Sequence, residues 1–358
     1  MSRSFDDFVR YLDAKQSVDD RALHRPTVDR LVAELDSRAA ARGDRPVRIL
    51  EVGFGIGTML ERLRAWDVLP DRVEYVGVDI DETNIAAAAD RLTDGDFEQT
   101  GPQQFSLASD DATLTVELHA ADAFAFAADR HDPAVADPQF DLLIGMAFLD
   151  IVPFAQVAET LLPLLAGGGL GYFPITFDGV TDFRPVDDPA LTATLLEGFH
   201  AAMDAPDRPG GSQTGRRLFT ELPAAGVDHL AAGGSDWVVT PTEDGYPAPE
   251  ESNQRPAHLV DVVHQVGEGL LEAGVVGERQ ANAGAAGASD GDAAPDELGR
   301  VDQQARTGPF GQAVLPDVAD FPGQIHQPTG RVGVHAALVG HNLRLQPGGR
   351  VIEGQGDE

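Results

Sequence analysis

An acidic residue followed by three glycines at alternate positions is the feature that most limits how this chain can fold. The stretch is EVGFGIG at 51–57, and a mainly apolar run at 47–50 precedes it. Glycines tolerate left-handed backbone conformations, and without side chains they let a ligand approach the main chain closely. After Thr58 the apolar residues recur with helical spacing. The pattern predicts a buried strand, a tight turn and a helix, with a ligand site at the turn.

The spacing of the glycines restricts the ligand. A dinucleotide-binding turn has the pattern G-x-G-x-x-G and holds a pyrophosphate at the helix N-terminus. Here Leu60 stands where the third glycine would fall if Gly55 were the first, and the carboxylate of Glu51 would repel a pyrophosphate. A strand-to-helix turn with incidental glycines and no ligand is a further interpretation.

The pattern E-x-G-x-G-x-G resembles motif I of the class I S-adenosylmethionine (SAM) methyltransferases. The resemblance implies that Glu51 lies close to the cationic amino end of SAM. It also implies that Gly53, Gly55 and Gly57, with Phe54 between them, form the floor beneath the ligand. SAM is therefore the expected cofactor.

A second acid follows at the end of the next predicted strand. The apolar run at 73–79 ends in Asp79, 22 residues after Gly57, and Ile80 comes directly after it. An acid at this place accepts hydrogen bonds from both ribose hydroxyls in SAM and NAD sites alike. Asp79 and Ile80 therefore support the fold and a nucleoside-containing ligand more than they decide which ligand binds.

Two further segments resemble later motifs of the same superfamily. The alternating run Thr113–Ala120 precedes Asp122 and Ala123. The resemblance implies that Asp122 accepts a hydrogen bond from the adenine amino group and that a backbone N–H near Ala123 reaches the ring. The apolar run at 140–146 resembles the fourth strand, whose end at Met146 would face the methyl donor.

Alternating strands and helices predict a parallel sheet that is covered on both faces. The resemblance implies a Rossmann-like, doubly wound α/β sheet of seven strands in the order 3-2-1-4-5-7-6, over residues 45–241. The runs 227–230 and 235–240 are expected to form its closing antiparallel hairpin. The fold class is thus α/β, with an N-terminal helical cap and a C-terminal extension.

The cap is predicted within residues 1–40 as three short helices, and the resemblance implies that they pack over the open edge of the SAM pocket. The run 5–14 places apolar side chains on one helical face. Ser17 with Asp20 resembles a capping box that starts a second helix, and Pro26 opens a third helix that runs to Leu35.

The C-terminal extension differs in composition from the rest of the chain. Residues 242–300 are predicted to be a linker with one amphipathic helix at 258–271. Residues 301–358 are predicted to be a poorly ordered tail. Between Arg300 and Arg350 there are five arginines and three acids, a net charge of +2 in a chain of −33. A shift of the reading frame near residue 300 and a disordered partner-binding tail are the two hypotheses for this contrast.

Composition excludes several classes of protein. The net charge is −33 and Lys15 is the only lysine, a composition similar to that of proteins from salt-loving archaea, where molar salt screens self-repulsion. This acidity argues against a nucleic-acid partner. The chain has no cysteine, which excludes disulfides, thiolate metal sites and cysteine nucleophiles. Without an 18-residue apolar segment or a signal-peptide pattern, we expect a cytoplasmic protein that does not enter the membrane.

Methyl transfer needs a general base only when the acceptor has a proton to lose. Asp150, just after the fourth predicted strand, and Tyr11 are candidate bases, with His119 and His200 as further candidates. Each of them has surface solvation or core packing as its alternative role. The histidines lack metal-ligand spacing, so no metal site is expected.

The substrate is expected to be a small molecule. Lys15 is a candidate ligand contact because it is the one lysine kept, and Arg216 and Arg217 are candidate contacts for a substrate carboxylate. A solvated charge at a helix end is the alternative role of Lys15, and sheet-edge salt bridges are the alternative role of the two arginines. The favoured function is a SAM-dependent methyltransferase. A non-catalytic SAM-fold binding protein and a dinucleotide-dependent oxidoreductase are the alternatives, and the sequence leaves the oligomeric state open.

Overall fold

The computed structural model describes residues 5–109, 112–130, 140–184, 189–239 and 329–341, and it contains one mixed sheet with helices on both faces. The helices are α1 (Phe5–Ala22), α2 (Arg25–Arg42), α3 (Thr58–Ala65), α4 (Glu82–Asp94), α5 (Ala123–Arg130), α6 (Phe154–Gln156), α7 (Pro189–Met203) and α8 (Thr214–Ala224). The strands are β1 (Val47–Val52), β2 (Arg72–Asp79), β3 (Glu98–Gly101), β4 (Gln104–Ala108), β5 (Thr113–Ala120), β6 (Phe140–Ile144), β7 (Leu165–Arg184), β8 (Val227–Gly234), β9 (Trp237–Val239) and β10 (Thr329–His341).

The strand order confirms the predicted fold class. The sheet runs β3-β4-β5-β2-β1-β6-β7-β10-β8, and β9 pairs with β10. Strands β5, β2, β1, β6 and β7 are mutually parallel, whereas β10 is antiparallel to both of its neighbours. Without β3, β4 and β9, the remaining seven strands stand in the order 3-2-1-4-5-7-6 when they are numbered along the chain.

Both faces of the sheet are buried, as a parallel sheet requires. Successive residues of β1 point to opposite faces: Ile49 belongs to one apolar cluster, with Leu31 of α2, and Leu50 to the other, with Leu161. All four of these side chains have no measurable exposure. Because both faces of the strands are covered, a ligand can reach the sheet only at the ends of the strands.

The N-terminal cap consists of two helices. The predicted break at Ser17 is wrong, because α1 continues from Phe5 to Ala22. Val18 is buried and Lys15 pairs with Asp19 across the predicted break at 2.7 Å, and both interactions favour an unbroken helix. The helix α2 has Pro26 in its first turn, as predicted, but it ends at Arg42. No helix in the described ranges is both long and apolar enough to cross a membrane.

The seventh strand comes from an unexpected part of the sequence. The predicted hairpin between 227–230 and 235–240 is wrong, because β8 and β9 each pair with β10. Strand β9 has only three residues, and it pairs with β10 at Gly330–Val332. The thirteen residues of β10 pair with β7 from Leu170 to Arg184, a much longer ladder than β9 offers.

The sheet therefore contains one strand from beyond residue 241, within the tail that was predicted to be poorly ordered. The other residues of that tail and the helix predicted at 258–271 lie outside the described residues. The domain limits and the shifted reading frame remain predictions.

Candidate functional site

The glycine turn has the backbone geometry that its sequence predicts. Gly53, Gly55 and Gly57 have φ values of 66°, 56° and 85°, all in the left-handed region that favours glycine. A Cβ at Gly53 would lie 3.1 Å from the ring of Phe148, so a side chain there would also be crowded. Gly57 is the N-cap of α3. Strand, turn and helix thus follow one another as expected.

The turn lies where the strand order reverses. Strand β1 pairs with β2 on one side and with β6 on the other, so the crevice at their carboxyl ends is the topological switch point of the sheet. Helix α1 lies over this crevice, because a Cβ at Gly55 would lie 3.3 Å from Cδ1 of Leu12. Arg91 of α4 binds both Asp13 of α1, at 2.7 Å, and Glu61 of α3, at 2.6 Å.

Glu51 is a buried carboxyl group directly behind the turn. Its Oε2 accepts a hydrogen bond from the Tyr75 hydroxyl at 2.5 Å. Burial raises the pKa of Glu51 to about 8; the Tyr75 hydrogen bond and the charge of Arg62 oppose this shift, and the charge of Asp79 adds to it. The site therefore holds an acid whose charge is poorly compensated by the protein itself.

Arg62 is a buried cation on the same face of the sheet. It lies on α3, donates a hydrogen bond to Asp20 of α1, and places Nη1 3.6 Å from the sulfur of Met146. Its Nη2 is buried and has no hydrogen-bond partner among the described residues. Met146, predicted to face the methyl donor, is thus in contact with Arg62 just beyond the end of β6.

Asp79 joins the end of β2 to the glycine turn. Its Oδ2 accepts from the Gly55 N–H at 2.7 Å, and its Oδ1 accepts from the N–H of Asp81 at 2.9 Å and from Asn84 at 3.2 Å. Ile80, beside it, is 70% exposed. Contact with a ribose remains a prediction for Asp79, but its role in fixing the turn is a finding.

Asp122 caps α5, the helix that Ala123 begins. Oδ1 of Asp122 accepts hydrogen bonds from the N–H groups of Phe124, at 3.0 Å, and Ala125, at 2.9 Å. A carboxylate at this place satisfies two otherwise unpaired donors of the helix. The position of an acid immediately before a helix is the sequence signal for this role, and the predicted adenine contact remains a prediction.

On the β6 side of the crevice, Asp150 follows the end of the strand, and the charge of Lys15 acts on it. Burial raises the pKa of Asp150 to about 6, against the stabilising N–H groups of Asp150 itself and of Phe177 and the charge of Lys15. Lys15 Nζ binds Oδ2 of Asp19 at 2.7 Å and lies 5.4 Å from the ring centre of Trp237 in β9. The predicted base and the predicted ligand contact are therefore linked electrostatically.

The other predicted residues occupy different surroundings. Tyr11 stacks on Phe8 with ring centres 5.9 Å apart. Arg216 and Arg217 lie on α8, where Arg216 is 3.8 Å from Asp178 and Arg217 is 3.6 Å from Glu221.

The two histidines have lowered pKa values, mainly through burial. His119 also lies 3.0 Å from Glu117. The ring of His200 lies 5.7 Å from that of Phe177. In the described part of the chain, no three His, Asp or Glu side chains are placed to hold a metal ion.

Sequence reasoning missed Tyr75 and Arg62. Tyr75 pairs with Ile49 across the β1–β2 ladder and so lies on the same sheet face as Glu51. Arg62 lies one helical turn after Met59, a buried residue of α3, so the two side chains share the buried face of the helix. This position on an apolar face is the sequence signal that distinguishes Arg62 from a solvated arginine.

No protein-family model and no curated protein sequence matches this chain. Among solved structures it is similar to the cyclopropane synthase MmaA2 from Mycobacterium tuberculosis, at 12% identity over 88% of this chain and 83% of that one, with a TM-score of 0.39. It is also similar to magnesium protoporphyrin IX methyltransferase (ChlM) from Synechocystis PCC 6803 with bound SAM, at 16% identity over 59% and 73% of the two chains, with a TM-score of 0.31. Phosphoethanolamine N-methyltransferase 2 from Haemonchus contortus, in complex with SAM, gives 12% identity over 57% and 38%, with a TM-score of 0.30. Similarities this weak do not establish a shared function, so any functional proposal has to rest on the geometry of the site.

Proposed function

We propose that this chain is a SAM-dependent methyltransferase that moves a methyl group to a small-molecule nucleophile. The observation that carries the proposal is the buried carboxyl group of Glu51 behind a left-handed glycine turn at the switch point of the sheet. A cationic ligand beside Glu51 would stabilise its carboxylate and offset the cost of burial. A pyrophosphate at the same turn would repel this carboxylate and add to the cost of its burial.

The charges around the turn favour a cation. When Glu51 is ionised, three buried carboxylates there, Glu51, Asp79 and Asp19, face two buried basic groups among the described residues, Lys15 and Arg62, so one negative charge is left over. Since the amino and carboxyl groups of SAM cancel, its sulfonium gives it one net positive charge, which suits this surplus. NAD contributes a negatively charged pyrophosphate and would add to it.

The residues present fit SAM in other respects. Side chains are absent from the turn where a ligand needs close approach to the backbone, since Gly53 and Gly55 lack Cβ atoms. Exposed Ile80, beside Asp79, offers an apolar surface for adenine, and Asp79 and Asp122 offer acceptors for ribose and the adenine amino group. When bound, SAM supplies a methyl group on a sulfonium, which is displaced in line by a nucleophile.

The chain itself contributes position and the exclusion of water. Helix α1 covers the turn through Leu12 and is held there by the Arg62–Asp20 and Arg91–Asp13 ion pairs. A covered, preorganised crevice favours displacement reactions because the reacting groups are held in line and solvent is excluded.

Calorimetric titration with SAM, S-adenosylhomocysteine and NAD tests the proposal, in about 2 M KCl so that salt screens the acidic surface. We expect saturable binding of the first two and none of NAD. We also expect the Gly55→Arg variant to lose SAM binding, because its side chain would meet Leu12 and its φ of 56° would be strained. Gly167→Arg is the matched control, because a Cβ there has no neighbour within 4 Å. Binding of NAD alone, or equal SAM binding by both variants, would contradict the proposal.

A further inference from the structure

We infer that Asp150 accepts the proton of the methyl acceptor, and therefore that the acceptor presents an N–H or O–H group rather than a carboxylate. The inference rests on the proposed methyltransferase function and assigns a residue and a substrate class to it. It is drawn from the position of Asp150, from an unpaired oxygen of its side chain and from the charges that face it.

The backbone around Asp150 is fixed beside the glycine turn. Phe148, two residues earlier, packs against Gly53, and the N–H of Ala147 donates to the carbonyl of Pro174 at 3.0 Å. Ala147 has a φ of 48°, which is uncommon for a residue with a side chain and often marks a functional site. The Asp150 carbonyl in turn accepts from the Gly211 N–H at 3.2 Å. Asp150 is therefore held at the carboxyl end of β6, next to the expected donor.

One oxygen of the Asp150 side chain lacks a partner. The residue is partly buried, but Oδ1 is shielded from solvent and no donor among the described residues reaches it. A buried polar atom without a hydrogen bond is costly and calls for an explanation. A donor on a bound ligand provides one.

The cation whose charge acts on Asp150 already has a partner. Lys15, on α1, binds Asp19 through Nζ at 2.7 Å and also faces the Trp237 ring. Because Asp19 already pairs with this ammonium group, a proton donor suits the Asp150 carboxylate better than a second anion does. Trp237 provides an aromatic face beside Lys15.

A carboxylate acceptor has less support. It would approach Asp150 with like charge, and the arginines expected to bind it, Arg216 and Arg217, lie about half exposed on α8 near Asp178 and Glu221. These acids compete for the two guanidinium groups. The arrangement therefore selects against an anionic acceptor.

The chemical step balances with Asp150 as the base. The acceptor nitrogen or oxygen uses its lone pair to form the bond to the methyl carbon, and the electron pair of the broken carbon–sulfur bond remains on sulfur. The acceptor must then lose its proton, which Oδ1 of Asp150 takes. A positioned general base of this kind contributes about 100-fold or more to the rate.

The test uses the full chain with Trp66→Phe, which leaves Trp237 as the only tryptophan, saturated with S-adenosylhomocysteine. The fluorescence of Trp237 is followed during titration with three probes of similar shape: benzylamine, benzyl alcohol and benzoate. We expect a saturable change with benzylamine or benzyl alcohol and none with benzoate; which of the two binds identifies the acceptor as an amine or a hydroxyl compound. Asp150→Asn should weaken probe binding at least fivefold, whereas Asp207→Asn, an exposed control with the same change of charge, should not.

Binding of benzoate, equal probe binding by the Asp150 and Asp207 variants, or no saturable binding of any probe would overturn the inference. The comparison of probes on the unmutated Asp150 keeps the test valid even if Asp150→Asn fails to fold. Calorimetry with S-adenosylhomocysteine alone distinguishes failure of the proposed function from failure of this inference. If S-adenosylhomocysteine does not bind, the proposed function fails. If it binds but the probes give one of the contrary results above, only the role of Asp150 fails.

Discussion

The two halves of the sheet are assembled in different ways. Around the glycine turn, β5, β2 and β1 come from one continuous stretch of chain, and side chains join their ends: Asp79 to Gly55, and Tyr75 to Glu51. Beyond β6, the sheet depends on β10, which pairs with strands that lie about 90 residues or more earlier, through backbone ladders alone as far as they are described. The first half can form locally, whereas the second needs closure of a long loop before it gains any pairing.

Removal of β10 tests most directly whether the second half of the sheet depends on this strand. A chain that lacks Thr329–His341 leaves the β7 and β8 edges unpaired, and we expect it to lose cooperative thermal unfolding altogether. A chain that ends after residue 341 keeps the strand and serves as the control. Circular dichroism melts of both would decide, and a deletion variant that unfolds like the control would mean that β10 does not hold the second half together.

In the first half, Asp79→Ala should have the next largest effect. The change removes the acceptor for Gly55, Asp81 and Asn84, so we expect a loss of about 2–4 kcal/mol in the free energy of unfolding. We also expect SAM affinity to fall about 100-fold or more because the turn is no longer fixed. Asp81→Ala, which removes only the cap on Thr83, should cost about 1 kcal/mol and leave affinity nearly unchanged. Similar SAM affinities of the two variants would show that Asp79 does not organise the site.

Glu51→Gln should have the smallest effect of the three, because it removes one ionisable group and changes little volume. The folded-state pKa of Glu51 is about 8 against an ordinary 4.5, so the wild-type chain loses stability as pH rises between these values. The variant has no such loss, and it should melt roughly 5 °C higher than wild type at pH 9 and at nearly the same temperature at pH 4. Glu98→Gln, at an exposed position of β3, is the control. Parallel pH profiles for the Glu51 variant and wild type would contradict the raised pKa.

The same contrast explains which features the sequence could predict. The glycine turn and the acids at the strand ends follow from patterns within a few residues, which determine local conformation, and the strand order through β7 follows from the family resemblance. The place of β10 does not follow, because a strand with atypical composition far along the chain is chosen by the open edges it fills. The continuity of α1 was missed for a related reason, since burial of Val18 overrides a local start signal.

At the site, side-chain types were easier to predict than their partners. Asp150 was found because it follows a strand, but its unpaired oxygen and the influence of the Lys15 charge on it depend on how the chain folds around the crevice. Arg62 was missed because a charged residue on a helix is usually solvated. The contact of its guanidinium with Met146 depends on how α3 packs against the segment after β6, and these two parts are far apart in the sequence.

The carboxyl group of Glu51 also makes ligand binding an acid–base event. At pH 7 a group with a pKa of about 8 is mostly protonated, and a sulfonium nearby would shift it toward the carboxylate. SAM should therefore release protons on binding, up to about one per site, and uncharged S-adenosylhomocysteine should release fewer. Binding enthalpies measured in buffers of different ionisation enthalpy would count these protons, and equal counts for the two ligands would exclude the linkage. If the counts differ, Glu51 takes up a proton again when S-adenosylhomocysteine replaces SAM in the site. Each turnover then includes one cycle of deprotonation and protonation of Glu51.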